Sequence, residues 1–370
     1  MKLSYYLAFV VTTLCLAASQ ISRADLSAGM TTGDPGLKSV GSIAFGPEGV
    51  LFIADPKGAS LVAISTGDVK PAAGGDEISI SNIIGEVAAV LGTSADAVII
   101  EDLAVNPFSN RPYLSVSRGT GPDAMPAILC IDNSGGLHLF DLAEVKYSKV
   151  SLKDAPADEV SGEGRRKTNS RLESITDIAY LDGKVIIAGL SNEEFASSLR
   201  SVEFPFSDKV QRTTVEIFHG AHGKYETRSP IRTFIPLDIQ GEVNVIASYT
   251  CTPLVRFPVA RLEPGSHIKG TTVAELGNRN RPLDMIEYEK GGKQYILIAN
   301  SARGIMKMDT DGIGSIDAIT EKVSGTKGLD YETIDDWNGV VQLALLDEDH
   351  AVIIGESSDG GVQLQQVDLP

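Results

Sequence analysis

A chain of 370 residues, 42% hydrophobic and 22% charged, can bury a sizeable core and is too apolar for native disorder. Its 49 acidic residues against 32 basic ones argue against nucleic acid or an anionic membrane surface as a partner. Glycine is one residue in ten (37) and long helical patterns are scarce, which points to many short strands joined by tight turns.

Residues 1–24 read as a secretory signal peptide: Lys2, an apolar run from Tyr5 to Ala18, then Ser22-Arg23-Ala24 with small residues at the cleavage positions. The run is short of the roughly 20 residues that cross a bilayer, and Leu14 before Cys15 argues against lipidation. The expected product is a periplasmic or secreted single domain, 25–370, with no membrane span. Without Lys2 and Arg23, 30 basic residues face 49 acidic ones, a net charge of −19. Only Cys130 and Cys251 remain, too few for a disulfide framework.

From residue 42 onward one pattern recurs six times: an apolar strand, a polar turn, a very apolar second strand ending in a small residue, a polar loop, and a third strand. The units begin with SIAFGPEGVLFIAD (42–55), DLAVNPFSNRPYLSVS (102–117), TDIAYLDGKVIIAG (176–189), IRTFIPLDIQGEVNVIAS (231–248), DMIEYEKGGKQYILIAN (284–300) and VVQLALLDEDHAVIIGE (340–356). Runs such as VIIAG and YILIAN are continuously apolar, so both faces of the second strand are buried, whereas third strands alternate. This predicts an all-β, six-bladed β-propeller, preferred over a seven-bladed ring or a sandwich. Fourth strands are expected at 69–73, 137–142, 213–218, 271–276 and 315–320. The sixth unit ends at Pro370 after its third strand, so a strand from the N-terminal segment 25–40 is expected to close the last blade and remove an exposed edge.

Two insertions interrupt the repeat. Residues 81–91 place Ile83, Ile84, Val87, Ala88 and Leu91 at helical spacing behind Ser81 as N-cap, a short helix between blades one and two on the mouth side. Residues 153–171 are nearly devoid of apolar side chains, and their Arg165-Arg166-Lys167 run reads as a solvated loop.

The repeated hairpins, FGPEGVLFIAD above all, resemble those of the six-bladed NHL, YVTN and SMP-30/gluconolactonase-like propellers, and of exported bacterial propellers more broadly, over most of 40–367. That resemblance implies a fold more firmly than an activity, because such propellers range from protein-binding scaffolds to metal-dependent lactonases.

In a propeller, the loops from second to third strands and those between blades share one face around the channel. The fourth and fifth units bring five arginines there, Arg228, Arg232, Arg279, Arg281 and Arg303, with Asp284, Asn300 and Cys251. In an acidic protein such a sector suits a carboxylate or phosphate, although arginines that pin blades together by pairing with acids are the plainer reading. Glu101, Glu173, Asn192, Asp284 and Asn300 are a second set, oxygen ligands of the kind calcium takes. His219 and His222 form H-x-x-H with Glu226 behind, a spacing able to bind zinc or copper. No nucleophile elbow, P-loop, dinucleotide fingerprint or haem motif occurs. The expectation is an exported, monomeric propeller that binds a small anionic ligand or a protein partner at the channel mouth. A divalent-metal-dependent lactonase or esterase, with calcium, is the alternative; a metal-bearing redox partner is another.

Overall fold

A computed structural model describes residues 26–27, 29–71, 77–164, 167–251 and 253–370; the leader, Arg165 and Arg166 lie outside them. The strands form six antiparallel-cored sheets, one for each repeat. In each blade the second strand is almost wholly buried, as in Val50–Asp55, Lys184–Leu190 and Lys293–Asn300, because side chains on both faces meet neighbouring blades. Among the described residues no helix is long and apolar enough to cross a membrane.

Innermost strands touch in a closed circuit, and six apolar clusters fill the gaps between blades. The order around the ring is not the order along the chain. Phe52 and Leu61 of blade one pack with Val185 and Ile187 of blade three, while Ile53 and Val62 pack with Tyr113 and Ile128 of blade two. Leu114 and Leu129 of blade two pack in turn with Val352 and Ile354 of blade six. The ring therefore runs two, one, three, four, five, six and back to two.

This exchange corrects the expected closure. The outer strand of blade six is Ser79–Ile80, drawn from the segment after blade one, and not the N-terminal segment. Thr31–Gly33 instead extends blade one outside Val145–Ser151, which is that blade's fourth strand and follows blade two in the chain. The described part of the expected strand, 69–71, therefore supplies no fourth strand to blade one, with Val69 49% exposed; 72–73 lie outside the described residues. In blade five the outer strand is Glu332–Ile334; 315–320 begins at the end of a 3-10 turn, Ile313–Ser315. Fourth strands Leu137–Leu139, Val210–His219 and Thr271–Leu276 fall close to expectation.

The inserted helix is Ile83–Leu91, capped by Asn82, whose side chain accepts the Gly85 N–H at 3.1 Å, in place of Ser81. Its buried Ile83, Val87 and Ala88 seal the apolar seam between blades two and six, so it covers a rim rather than the channel.

Candidate functional site: the channel mouth

Asp102, Asp177 and Asp284 stand at the same place on the innermost strands of blades two, three and five, every second position around the ring. Each carboxylate accepts the N–H of its own next residue: Leu103 at 2.9 Å, Ile178 at 2.8 Å and Met285 at 2.7 Å. Its other oxygen takes a backbone N–H from an adjacent blade, Ile43 at 2.7 Å, Phe234 at 2.7 Å and Leu343 at 2.8 Å. Ser42, Thr233 and Gln342 occupy the alternate positions, and Ser42 Oγ also donates to Asp177 at 2.8 Å. Three aspartates thus staple the six blades in pairs. Burial raises all three carboxyls, Asp102 to about 7 and Asp177 to about 6; mutual repulsion adds to the rise for Asp102 and Asp284.

Above this ring a cavity of about 970 Å³ opens on the face of the second-to-third-strand loops. Its wall comes from the blade-one loop (Pro56, Lys57), the blade-two loop (Gly121, Pro122) and the second insertion (Asp158, Val160, Asn169). The insertion is held by a partly buried ion pair: Arg200, 1% exposed, sets Nε 3.1 Å from both oxygens of Asp154, which Arg212 also reaches at 3.3 Å, and donates to the Ser174 and Leu190 carbonyls. Gly189 lets that segment lie against blade three, since a Cβ there would sit 2.1 Å from the Ser174 carbonyl oxygen. Glu173, one residue earlier, is thereby aimed into the cavity.

Seven charged residues line the cavity, Lys38, Lys57 and Asp158 among them; Glu101, Glu173, Arg232 and Arg281 lie next to the inner strands. Arg232 bonds Glu173 at 2.9 Å and Thr250 Oγ1 at 3.1 Å. Glu101 accepts Ser117 Oγ at 2.7 Å, and burial pushes its carboxyl up. Arg281, exposed at the mouth, meets no ion-pair or side-chain hydrogen-bond partner among the described residues; partial desolvation and the nearby Arg232 charge hold its guanidinium below its ordinary value against the opposing pull of Glu173. Ile99, Val160 and Leu172, 42%, 67% and 53% exposed, form an apolar rim around them.

The other candidates divide. Arg228 reaches the Glu194 carbonyl at 3.2 Å, Arg279 is an exposed residue at φ 60°, and Arg303 lies against the Asn278 carbonyl at 3.4 Å; none lines the cavity. Asn300 is buried against Asn280 at 3.1 Å, and Cys251 takes a left-handed turn, φ 62°, that bonds its N–H to the Asn280 carbonyl. Cys130 and Cys251 are both free. Of the oxygen-ligand set, Glu101 and Glu173 share the cavity and Asp284 lies beneath it, while Asn192 is exposed in a blade-three loop and Asn300 is committed elsewhere. His219, His222 and Glu226 do come together, at the outer rim of blade three.

Sequence reasoning overlooked Arg200 and the staple role of Asp102 and Asp177. A recurring acid-apolar pair, Asp102-Leu103, Asp177-Ile178 and Asp284-Met285, was the signal for the staples, and an arginine inside the otherwise compact run SLRSVEF for the anchor.

No protein-family model matches the chain, and no curated protein matches it. Solved structures with a similar outline include the PQQ-bound aldose sugar dehydrogenase of Streptomyces coelicolor, at 11% identity and TM-score 0.37, covering 91% of this chain and 96% of that one. Another is the soluble aldose sugar dehydrogenase of Escherichia coli in its apo-form, at 12% and 0.33 over 90% and 97%. A Trypanosoma rangeli sialidase in complex with 2,3-difluorosialic acid aligns at 11% and 0.37 over 90% and 54%. At such scores none of their chemistry transfers, and the propeller rests on this chain's own strand pairing.

Proposed function

We propose that this chain is an exported propeller of the NHL/YVTN/SMP-30-like kind that binds a small organic anion at its channel mouth, its carboxylate received by Arg281. The observation that carries the reading is the contrast between two neighbouring guanidiniums: Arg232 is paired with Glu173, whereas Arg281, although the Glu173 charge reaches it, lines the same cavity with no ion-pair or side-chain hydrogen-bond partner among the described residues. Arg281 is exposed at the mouth, and a guanidinium there offers a fork of donors that a carboxylate fits. The apolar rim of Ile99, Val160 and Leu172 favours an anion with a hydrocarbon or aromatic body, and Glu101 opposite supplies an acceptor for a ligand hydroxyl or amine.

The calcium hydrolase reading draws less support, because Glu173 is engaged by Arg232 and both oxygens of Asp284 by backbone N–H groups. The test is a thermal-shift panel of aliphatic and aromatic carboxylates on the wild type and Arg281→Ala. Loss of a charge-assisted contact weakens binding by about tenfold to a hundredfold. Equal shifts in the two proteins remove Arg281 from the site.

A further inference from the structure

His219 ends the outer strand of blade three, and the chain turns through Gly220 to Gly223 into Lys224–Glu226, which pairs back so that His219 faces Lys224 and Ile217 faces Glu226. This tight return brings His219, His222 and Glu226 to one point: one candidate ligand atom from each lies within 4.8 Å of the others. The imidazole centroids are 3.9 Å apart. Glu226 receives both rings, His219 Nδ1 at 3.1 Å and His222 Nδ1 at 2.7 Å. Those separations approach the edge of about 3.3 Å expected between ligands bonded at about 2.0–2.1 Å around a tetrahedral zinc ion.

The protein's own hydrogen bonds leave this cluster incomplete. The His219 side chain is 3% exposed and its Nε2 has no hydrogen-bond partner among the described residues. A neutral imidazole carries one N–H and one lone pair, so with Nδ1 engaged by Glu226 a polar atom of a buried ring stays bare. Beside it Glu275, 1% exposed, accepts the Gly220 N–H on Oε1, while its Oε2 has no hydrogen-bond partner among the described residues. The Glu275 carboxylate and both imidazoles influence one another electrostatically. Lys224, 3.8 Å from Glu226 and largely exposed, is the one lysine or arginine paired with the cluster among the described residues.

We propose that His219, His222 and Glu226 bind one divalent transition-metal ion of the zinc class, with Glu275 as the adjacent carboxylate that balances its second charge. Two imidazoles select such an ion over calcium, which prefers an all-oxygen shell. His222 is half exposed, so an ion reaches the site from solvent and a water completes its shell. The ion would pin the hairpin turn closed, beside the segment before Thr326–Gly328 whose Val323 N–H bonds the Gly220 carbonyl at 2.9 Å. This site is separate from the channel mouth and does not depend on the anion reading.

Isothermal titration of EDTA-treated protein with zinc chloride should show one site per chain at micromolar affinity or tighter, a raised melting temperature, and no matching saturation by calcium chloride. His222→Ala, at an exposed position that leaves the fold intact, and Glu226→Gln should each weaken zinc binding at least about tenfold, while His138→Ala, distant and exposed, should not. No saturable zinc binding, or the same affinity in wild type, His222→Ala and Glu226→Gln, would overturn the assignment.

Discussion

Asp177→Asn tests whether the channel aspartates hold the ring together at an electrostatic cost. The wild-type carboxyl has its ordinary value of 3.8 raised to about 6 by burial. A group raised in the folded state contributes stability that is complete below its unfolded value and is lost as pH climbs through the folded one. A rise of roughly two pH units is worth about 3 kcal/mol in full, of which about 1.5 kcal/mol is lost between about pH 5 and pH 8. Asparagine keeps the shape and removes the charge. Its amide offers one oxygen where two accept, Ile178 N–H at 2.8 Å and Phe234 N–H at 2.7 Å, so one donor faces an NH₂ group at a cost of about 1–3 kcal/mol. The variant is therefore clearly destabilised at pH 5, and its deficit shrinks by about 1.5 kcal/mol at pH 8. Urea unfolding of both proteins at the two pH values measures this, and every other titrating group cancels in the difference apart from its coupling to residue 177. A deficit that stays constant or grows with pH refutes the argument.

Three further outcomes follow from the same contacts. Arg200→Met removes the buried partner of the partly exposed Asp154, leaving Arg212 at 3.3 Å as its remaining ion pair, and should cost about 1–3 kcal/mol; limited proteolysis should then cut first within 153–171, and cleavage elsewhere would deny Arg200 its anchoring role. Ile80→Ala, in the strand that completes blade six and 8% exposed, should cost about 2–4 kcal/mol, whereas Val69→Ala, 49% exposed, should leave the melting curve unmoved. Phe52 and Tyr180 stack with centroids 5.6 Å apart across blades one and three; a double-mutant cycle with leucine at both positions should return a coupling of about 0.5–1.5 kcal/mol, and a null coupling would argue against the exchanged blade order.

Much of the fold was legible because burial leaves a local mark. Second strands such as VLFIAD, VIIAG and YILIAN are apolar on both faces since each is sandwiched between blades, and that continuity survives in the sequence. Outer strands leave no such mark: Leu137–Leu139 and Glu332–Ile334 are short and largely solvated, so a hydrophobic period never develops. The candidate site was legible in part for a related reason. Arg232, Arg281, Glu101 and Glu173 lie next to inner strands whose position the repeat fixes, while Arg228, Arg279 and Arg303 sit on turns whose direction depends on pairing partners such as Glu194 and Asn278.

The exchange of blades one and two is the feature no local pattern could supply, and it shapes the mouth. Val145–Ser151 alternates well enough to read as a strand, yet nothing in VKYSKVS says that it returns past blade two to pair with Ser60–Ser65. Because it does, the chain enters the second insertion directly from blade one. Asp158, Val160, Asn169 and Glu173 are then delivered over the seam between blades one and three, and the blade-two loop bounds the opposite side. Blades threaded in chain order would place blade two in that seam, separating Phe52 from Tyr180 and Pro56 from the Ser174 hydroxyl that bonds its carbonyl at 3.1 Å. The off-centre cavity, and with it the approach to Arg281, is a consequence of that one crossing of the chain.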